Sequence, residues 1–356
     1  MAKQAPKVCV YAICKNEIKN LDAWLDSMAP ADYIVVLDTG STDGSFEKLK
    51  KDDRVHKVEQ KIIDPWRFDV ARNESMKLIP SDTAICVCTD PDERFSNAAW
   101  ANMLRAHWLT NQRAVRAEYT YAWSHTENGD PTNIFMCNKI HSYGDYHWVY
   151  PCHEVLRLND DVTEPEQTIE FGDGIYLHHY QDTTKDRTNY LELLRIAAEE
   201  TGSIYNKMLY ARELSIRKNP QQSLAVYFEV LGSADIDLPE NKLVLLDSLL
   251  NVSTIYFNDL RSLPDSVWYA EEFINVDPTY REPYLILAQA YIDKQLFTIA
   301  EGYIEAAKKY GYQHNNWVEH STAYVGWLED LELQVKNGLT KYKLSGKLNK
   351  GAKWFE

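Results

Sequence analysis

Thr83-Ala-Ile-Cys-Val-Cys-Thr-Asp-Pro-Asp-Glu-Arg94 sets the fold and the chemistry expected of this chain. An apolar run of strand length breaks directly into a turn bearing Asp90, Asp92 and Glu93. Cys86 and Cys88 alternate with period two and so share one strand face. Two carboxylates two residues apart at a strand's end can turn into one cleft, where they suit a hard divalent cation.

Working outward, the same grammar repeats upstream. Lys7 to Ile13 and Tyr33 to Leu37 are continuous apolar runs, and Arg54 to Val58 reads as a third strand. Helical stretches over Asn20–Met28, Phe46–Lys51 and Val70–Leu78 separate them. Apolar strands alternating with helices predict a mainly parallel α/β sheet covered on both faces. In such sheets ligands bind beyond the carboxyl ends of the strands. Cys14-Lys-Asn-Glu17, Asp38 to Ser45 and Asp90 to Glu93 each follow a strand, so they converge on one edge.

That edge carries donors and acceptors suited to a nucleotide. Asp38 can accept a hydrogen bond from an N–H on a base. Thr39 to Ser45 offers backbone N–H groups and hydroxyls, and also serves as a helix-capping turn. Trp66-Arg-Phe-Asp-Val-Ala-Arg-Asn73 brings Arg72 within reach of a phosphate or of the base-binding aspartate, or of a plain surface ion pair. In His147-Trp-Val-Tyr-Pro-Cys-His-Glu154, both Glu154 and His153 are candidates to take a proton from an attacking acceptor. His178-His179-Tyr180 follows the apolar Gly174 to Leu177, where a histidine can complete a metal's shell or meet a phosphate.

Composition narrows the function classes. The 356 residues suggest two domains. The net charge of -15 argues against broad attraction to nucleic acid, which needs clustered Lys and Arg. It leaves room for a nucleotide whose charge a divalent ion balances. No stretch nears the ~20 apolar residues of a membrane span, and residues 1–7 lack a signal peptide's apolar core. The scattered cysteines Cys9, Cys14, Cys86, Cys88, Cys137 and Cys152 read as reduced thiols of a cytoplasmic protein.

Beyond Thr184 the pattern turns to long amphipathic helices. Pro278 to Gly311 spaces Tyr284, Leu287, Ala288, Tyr291, Ala300, Ile304 and Ala307 as a tetratricopeptide (TPR) repeat does. Looser units run from Leu249 to Asp277 and from Leu209 to Leu231. The expected division is 1–183, a helical repeat domain over 184–335, and a flexible basic tail over 336–356. Stacked repeats offer a groove for a partner, or a lid or homodimer surface.

Six ordered motifs together resemble family 2 glycosyltransferases. They are Val8 to Glu17, Ile34 to Ser45, Phe68 to Asn73, Asp90 to Glu93, Trp148 to Glu154, and His178 to Tyr180. The resemblance implies a GT-A fold, a nucleoside-diphosphate sugar donor (a UDP-sugar foremost), Mn²⁺ or Mg²⁺, and inversion at the anomeric carbon. Cys14, Asn16, Glu17, Asp38, Ser41, Arg72 and Asp90 form the donor-binding set it implies. Asp92 with His178 and His179 would hold the metal, and Glu154 or His153 would act as base. A GT-A domain followed by TPR-like helices is similar to bacterial and phage peptide glycosyltransferases, including cysteine S-glycosyltransferases of the sublancin type. The departure is Pro91, where that family carries a small residue. The acceptor is expected to be a peptide, protein, glycan or modified nucleobase. The alternatives are a catalytically silent scaffold that binds through its repeats, and a nucleotidyltransferase. The latter lacks a glycine in the Cys14–Glu17 loop, where a triphosphate would sit.

Overall fold

The computed structural model describes residues 5–109, 112–126, 128–181, 189–314 and 316–344. The chain divides into two compact units, Met1–Leu193 and Leu194–Glu356. The boundary expected at 183–184 lies outside the described residues.

The first unit alternates strands and helices: β1 (Val8–Cys14), α1 (Leu21–Met28), β2 (Tyr33–Asp38), α2 (Ser45–Lys51), β3 (Lys57–Gln60), α3 (Phe68–Met76) and β4 (Ile85–Cys88). The chain continues with β5 (Glu93–Phe95), α4 (Trp100–His107), β6 (Val115–His125), β7 (Pro131–Ser142), β8 (Tyr146–Val149), β9 (Val155–Leu158) and β10 (Gln167–His179). One sheet runs in the order β3-β2-β1-β4-β7-β6-β10-β5, and β8 and β9 form a separate hairpin. Strands β3, β2, β1 and β4 are parallel, as is the β6–β10 pair, while β7 and β5 run antiparallel to their neighbours.

Every residue of β1 is buried, as a strand covered on both faces requires. On one side Leu21, Trp24, Leu25 and Met28 of α1 fall at helical spacing and pack into the main core. Burying each contributes about 2 kcal/mol. On the other side Cys9, Tyr11, Cys86 and Cys88 pack with Leu78, Ile79 and Trp148. All six cysteines are free thiols.

The third strand lies later than Arg54–Val58, because Arg54 is pinned in a turn. Its guanidinium and amide both reach Asp52, and it pairs with Asp26. The helix expected over Val70–Leu78 begins instead at Phe68.

The second unit consists of antiparallel helix pairs, entered through α5 (Tyr190–Thr201). These are α6 (Ile204–Ile216) with α7 (Pro220–Leu231), α8 (Lys242–Asn258) with α9 (Leu263–Val276), and α10 (Glu282–Asp293) with α11 (Phe297–Ala307). Ala288, Ala300 and Ala307 are fully buried, which permits close helix approach. The segment set apart as a tail from 336 is instead helical to Leu344, within α12 (Trp327–Leu344). Leu331, Val335 and Leu339 continue its apolar stripe into the core of α10 and α11. Gly338, inside the span expected to be a flexible tail, gives Phe297 room: a Cβ there would meet the ring. Residues 345–356 of that tail lie outside the described residues. Among the described residues no helix is long and apolar enough to cross a membrane.

Candidate functional site

The carboxyl ends of β1, β2 and β4 lie side by side, with Cys14 in register with Asp38. The two loops leaving β1 and β2 are tied together. Asn16, at φ 57°, donates its amide to Ser41 Oγ (2.8 Å) and accepts from Thr42 N–H at Oδ1 (2.7 Å). Glu17 N–H reaches Ser45 Oγ at 2.9 Å, and Ile18 N–H reaches Asp43 at 3.0 Å. Asp38 is fully buried. Its Oδ1 accepts from the amides of Gly40 (3.0 Å) and Ser41 (2.9 Å) and from Gln60 Nε2 (2.8 Å). Its Oδ2 is buried with no partner, a costly arrangement that marks a place for a further donor.

Beside it lies the acidic turn. Arg72, on α3, is buried and forks onto Asp90, with Nη1–Oδ1 at 2.9 Å and Nη2–Oδ2 at 3.0 Å. Its Nε donates to Glu154, and its guanidinium lies 5.2 Å over the Trp148 ring. Asn73, the next residue, makes two hydrogen bonds to the Trp148 backbone, which draws the β8–β9 hairpin and Glu154 onto α3. Burial alone would raise the Asp90 carboxyl, but the charges of Arg72 and Lys139 outweigh it and hold it well below the carboxylate range. Glu93, with 1% exposure, accepts the Asp90 amide at Oε2 (2.9 Å) and the Tyr121 hydroxyl at Oε1 (2.8 Å). Burial pushes the Glu93 carboxyl up.

Asp92 faces His179, with Oδ2 and Nε2 at 3.5 Å. Nδ1 of that ring lies 3.1 Å from the Trp123 carbonyl, an acceptor only, so Nδ1 carries the proton and Nε2 is turned toward Asp92. Burial lowers the affinity of His179 for a second proton, but the hydrogen bond and charge of Asp92 raise it above the ordinary value.

The two histidines part company because side chains alternate along β10. His178 projects to the opposite face, where Nδ1 meets His125 Nε2 at 2.8 Å and its ring stacks on Tyr176. Of the two histidines expected at a metal, His179 lies against Asp92 and His178 against His125. A β6 irregularity between Ala122 and Ser124 lets Trp123 approach His179 (4.5 Å between rings) while His125 turns to His178.

Three other expected residues have side chains engaged with other partners. The Cys14 thiol is buried in the core and pushed up to about 12 by burial. Only its backbone serves the site, through the carbonyl that accepts Thr39 N–H at 2.8 Å. Glu17 accepts from Asn20 at 2.9 Å. His153, at φ 49°, is exposed and set against Tyr190, 3.4 Å from its hydroxyl. Sequence reasoning missed Lys139 on β7, Tyr121 and Trp123 on β6, and Gln60. Gln60, the last residue of β3 and in register with Asp38, is the one that strand register could have found.

Asp90, Asp92, Glu93 and Glu154 are four carboxylates, and Arg72, Lys139 and Arg94 are three cations, so one negative charge remains when His179 is neutral. Among the described residues no three His, Cys, Asp or Glu side chains are grouped to hold a metal. Asp92 and His179 nonetheless suit two positions of one. Their 3.5 Å spacing is less than twice a ~2.1 Å bond, and the Nδ1–H anchor is what ligand histidines use.

No family model and no curated protein matches the chain. Among solved structures, Staphylococcus aureus TarS 1–349 in complex with UDP-GlcNAc is 15% identical, covers 77% of this chain and 93% of that one, and superposes with a TM-score of 0.38. Staphylococcus aureus TarS is 14% identical over 85% of this chain and 54% of that one, with a TM-score of 0.39. A TPR-containing C-terminal domain of a Plasmodium falciparum FK506-binding protein is 17% identical over 42% of this chain and 94% of that one, with a TM-score of 0.31. Likenesses this slight decide nothing about chemistry, which rests on the side chains themselves.

Proposed function

We propose that this chain is an inverting glycosyltransferase that uses a nucleoside-diphosphate sugar, foremost a UDP-sugar, with Mn²⁺ or Mg²⁺. The observation that carries the reading is the Asp92–His179 pair. It lies beside the Arg72–Asp90 fork, in a turn where carboxylates outnumber cations by one. Asp92 and His179 would hold the divalent ion, which when bound supplies positive charge to the diphosphate leaving group. Asp38 Oδ2 receives an N–H of the base, and the joined 14–17 and 38–45 loops line the nucleoside. Asp90, held by Arg72, faces the sugar.

Glu154 takes the acceptor's proton. Its Oε1 is occupied by Arg72, and its Oε2 takes no hydrogen bond among the described residues. The acceptor heteroatom bonds to the anomeric carbon as the bond from that carbon to the diphosphate oxygen breaks. The electron pair leaves with the nucleoside diphosphate. The acceptor is a peptide or protein side chain, a cysteine thiol included, or a glycan or modified nucleobase, engaged through the helical unit.

Incubation with a panel of sugar nucleotides and Mn²⁺, with mass spectrometry of acceptors and of released nucleoside diphosphate, tests the reading. Neither donor hydrolysis nor transfer with any donor, together with no metal-dependent nucleotide binding, would leave the scaffold alternative standing.

A further inference from the structure

Lys139 has no place in the scheme above, yet it is a lysine drawn into the same acidic turn. It comes from β7, whereas Arg72 comes from α3. Its Nζ is 3.4 Å from Glu93 Oε1 and 5.5 Å from the centre of the Tyr121 ring. Glu93 in turn fastens the turn by accepting the Asp90 amide at 2.9 Å. The turn is thus gripped twice, by Arg72 on the Asp90 carboxylate and by Lys139 through Glu93 on the Asp90 backbone.

A buried carboxylate holds a fixed place only when its charge is compensated. Burial opposes the charge on Lys139, but Glu93 and Asp90 outweigh it, so the ammonium persists. We propose that Lys139 is a positioning residue of the donor site, holding the Glu93 side chain in place so that the Asp90–Asp92 turn presents Asp92 to the cation. This rests on the donor-site reading of the cleft, although the grip on the turn is a property of the chain alone.

The test uses the full chain with two readouts: calorimetric affinity for UDP with Mn²⁺, and the hydrogen-exchange rate of the Asp90 amide. Lys139→Met is expected to weaken UDP at least 10-fold and to speed Asp90 exchange at least 10-fold. Adding Glu93→Gln, a neutral isostere that needs no counter-cation, should bring both back to within about 3-fold of wild type. Lys139→Arg, which keeps the charge, should stay near wild type and covers the case in which the Met variant does not fold.

Wild-type behaviour of Lys139→Met in both readouts would overturn the proposal. So would a double variant as impaired as the single one, since Lys139 would then act by touching ligand or by packing. Equal impairment of the Arg variant would do the same. If wild type binds no UDP, the donor reading falls and Asp90 exchange alone decides this inference.

Discussion

Arg72 and Asp90 meet fork to fork, two N–H···O bonds of 2.9 and 3.0 Å, although eighteen residues and a strand separate them. A planar guanidinium is the one side chain that can span both oxygens while its Nε serves Glu154. Arg72→Met leaves two largely buried carboxylates without that partner. The expected result is a loss of about 3 kcal/mol in unfolding free energy, read by denaturant titration. Arg72→Lys should recover only part of it.

Glu154→Gln preserves shape and removes the proton acceptor. Transfer should fall by roughly 100-fold while UDP affinity in Mn²⁺ stays within about 3-fold of wild type. A mild rate loss would move the base elsewhere. His153→Ala, whose exposed ring is set against Tyr190, should leave the rate within a few-fold.

In the helical unit Glu282 is 1% exposed, with Oε1 accepting the His320 amide and Oε2 unpartnered. Burial, with a smaller push from Glu319, moves its carboxyl up to about 7. The native chain therefore keeps a proton that the unfolded chain releases near pH 4.5. Stability should fall as pH rises from about 4.5 to 7, by about 3 kcal/mol in total. Denaturant midpoints across that range measure the slope, and Glu282→Gln should flatten it.

Gly338→Ala drives a methyl into Phe297, with contacts of 2.3 to 2.6 Å to ring carbons. Overpacking of this kind costs about 1–3 kcal/mol. The melting midpoint should drop, and Phe297→Leu in the same chain should recover much of the loss. An unchanged midpoint would show that α11 and α12 yield freely.

The parts of this protein legible in its sequence are those governed by local rules. The apolar runs ending at Cys14, Asp38 and Cys88 announced parallel strands, and a sheet's carboxyl edge then brought the loops that follow them together, whereas the Arg72 partners, Asp90 and Glu154, were not legible. The 34-residue spacing of Tyr284 to Ala307 announced paired helices. What stayed hidden depends on register or on distance along the chain. His178 and His179 differ only in which face of β10 they occupy, which no composition reveals. Lys139 sits among mixed residues of a long antiparallel strand, and only β7 pairing with β4 and β6 brings it beneath the acidic turn. The 336–356 span read as a tail because nothing local reveals that Phe297 packs against Gly338.

The central claim is that Asp92 and His179 hold a divalent ion beneath a nucleoside diphosphate. Calorimetric titration of UDP with and without Mn²⁺, on wild type, Asp92→Asn, His179→Ala and His178→Ala, tests it most directly. Metal-dependent binding is expected in wild type and His178→Ala, and is expected to vanish in Asp92→Asn and His179→Ala. Retained metal-dependent affinity in either of the last two would contradict it.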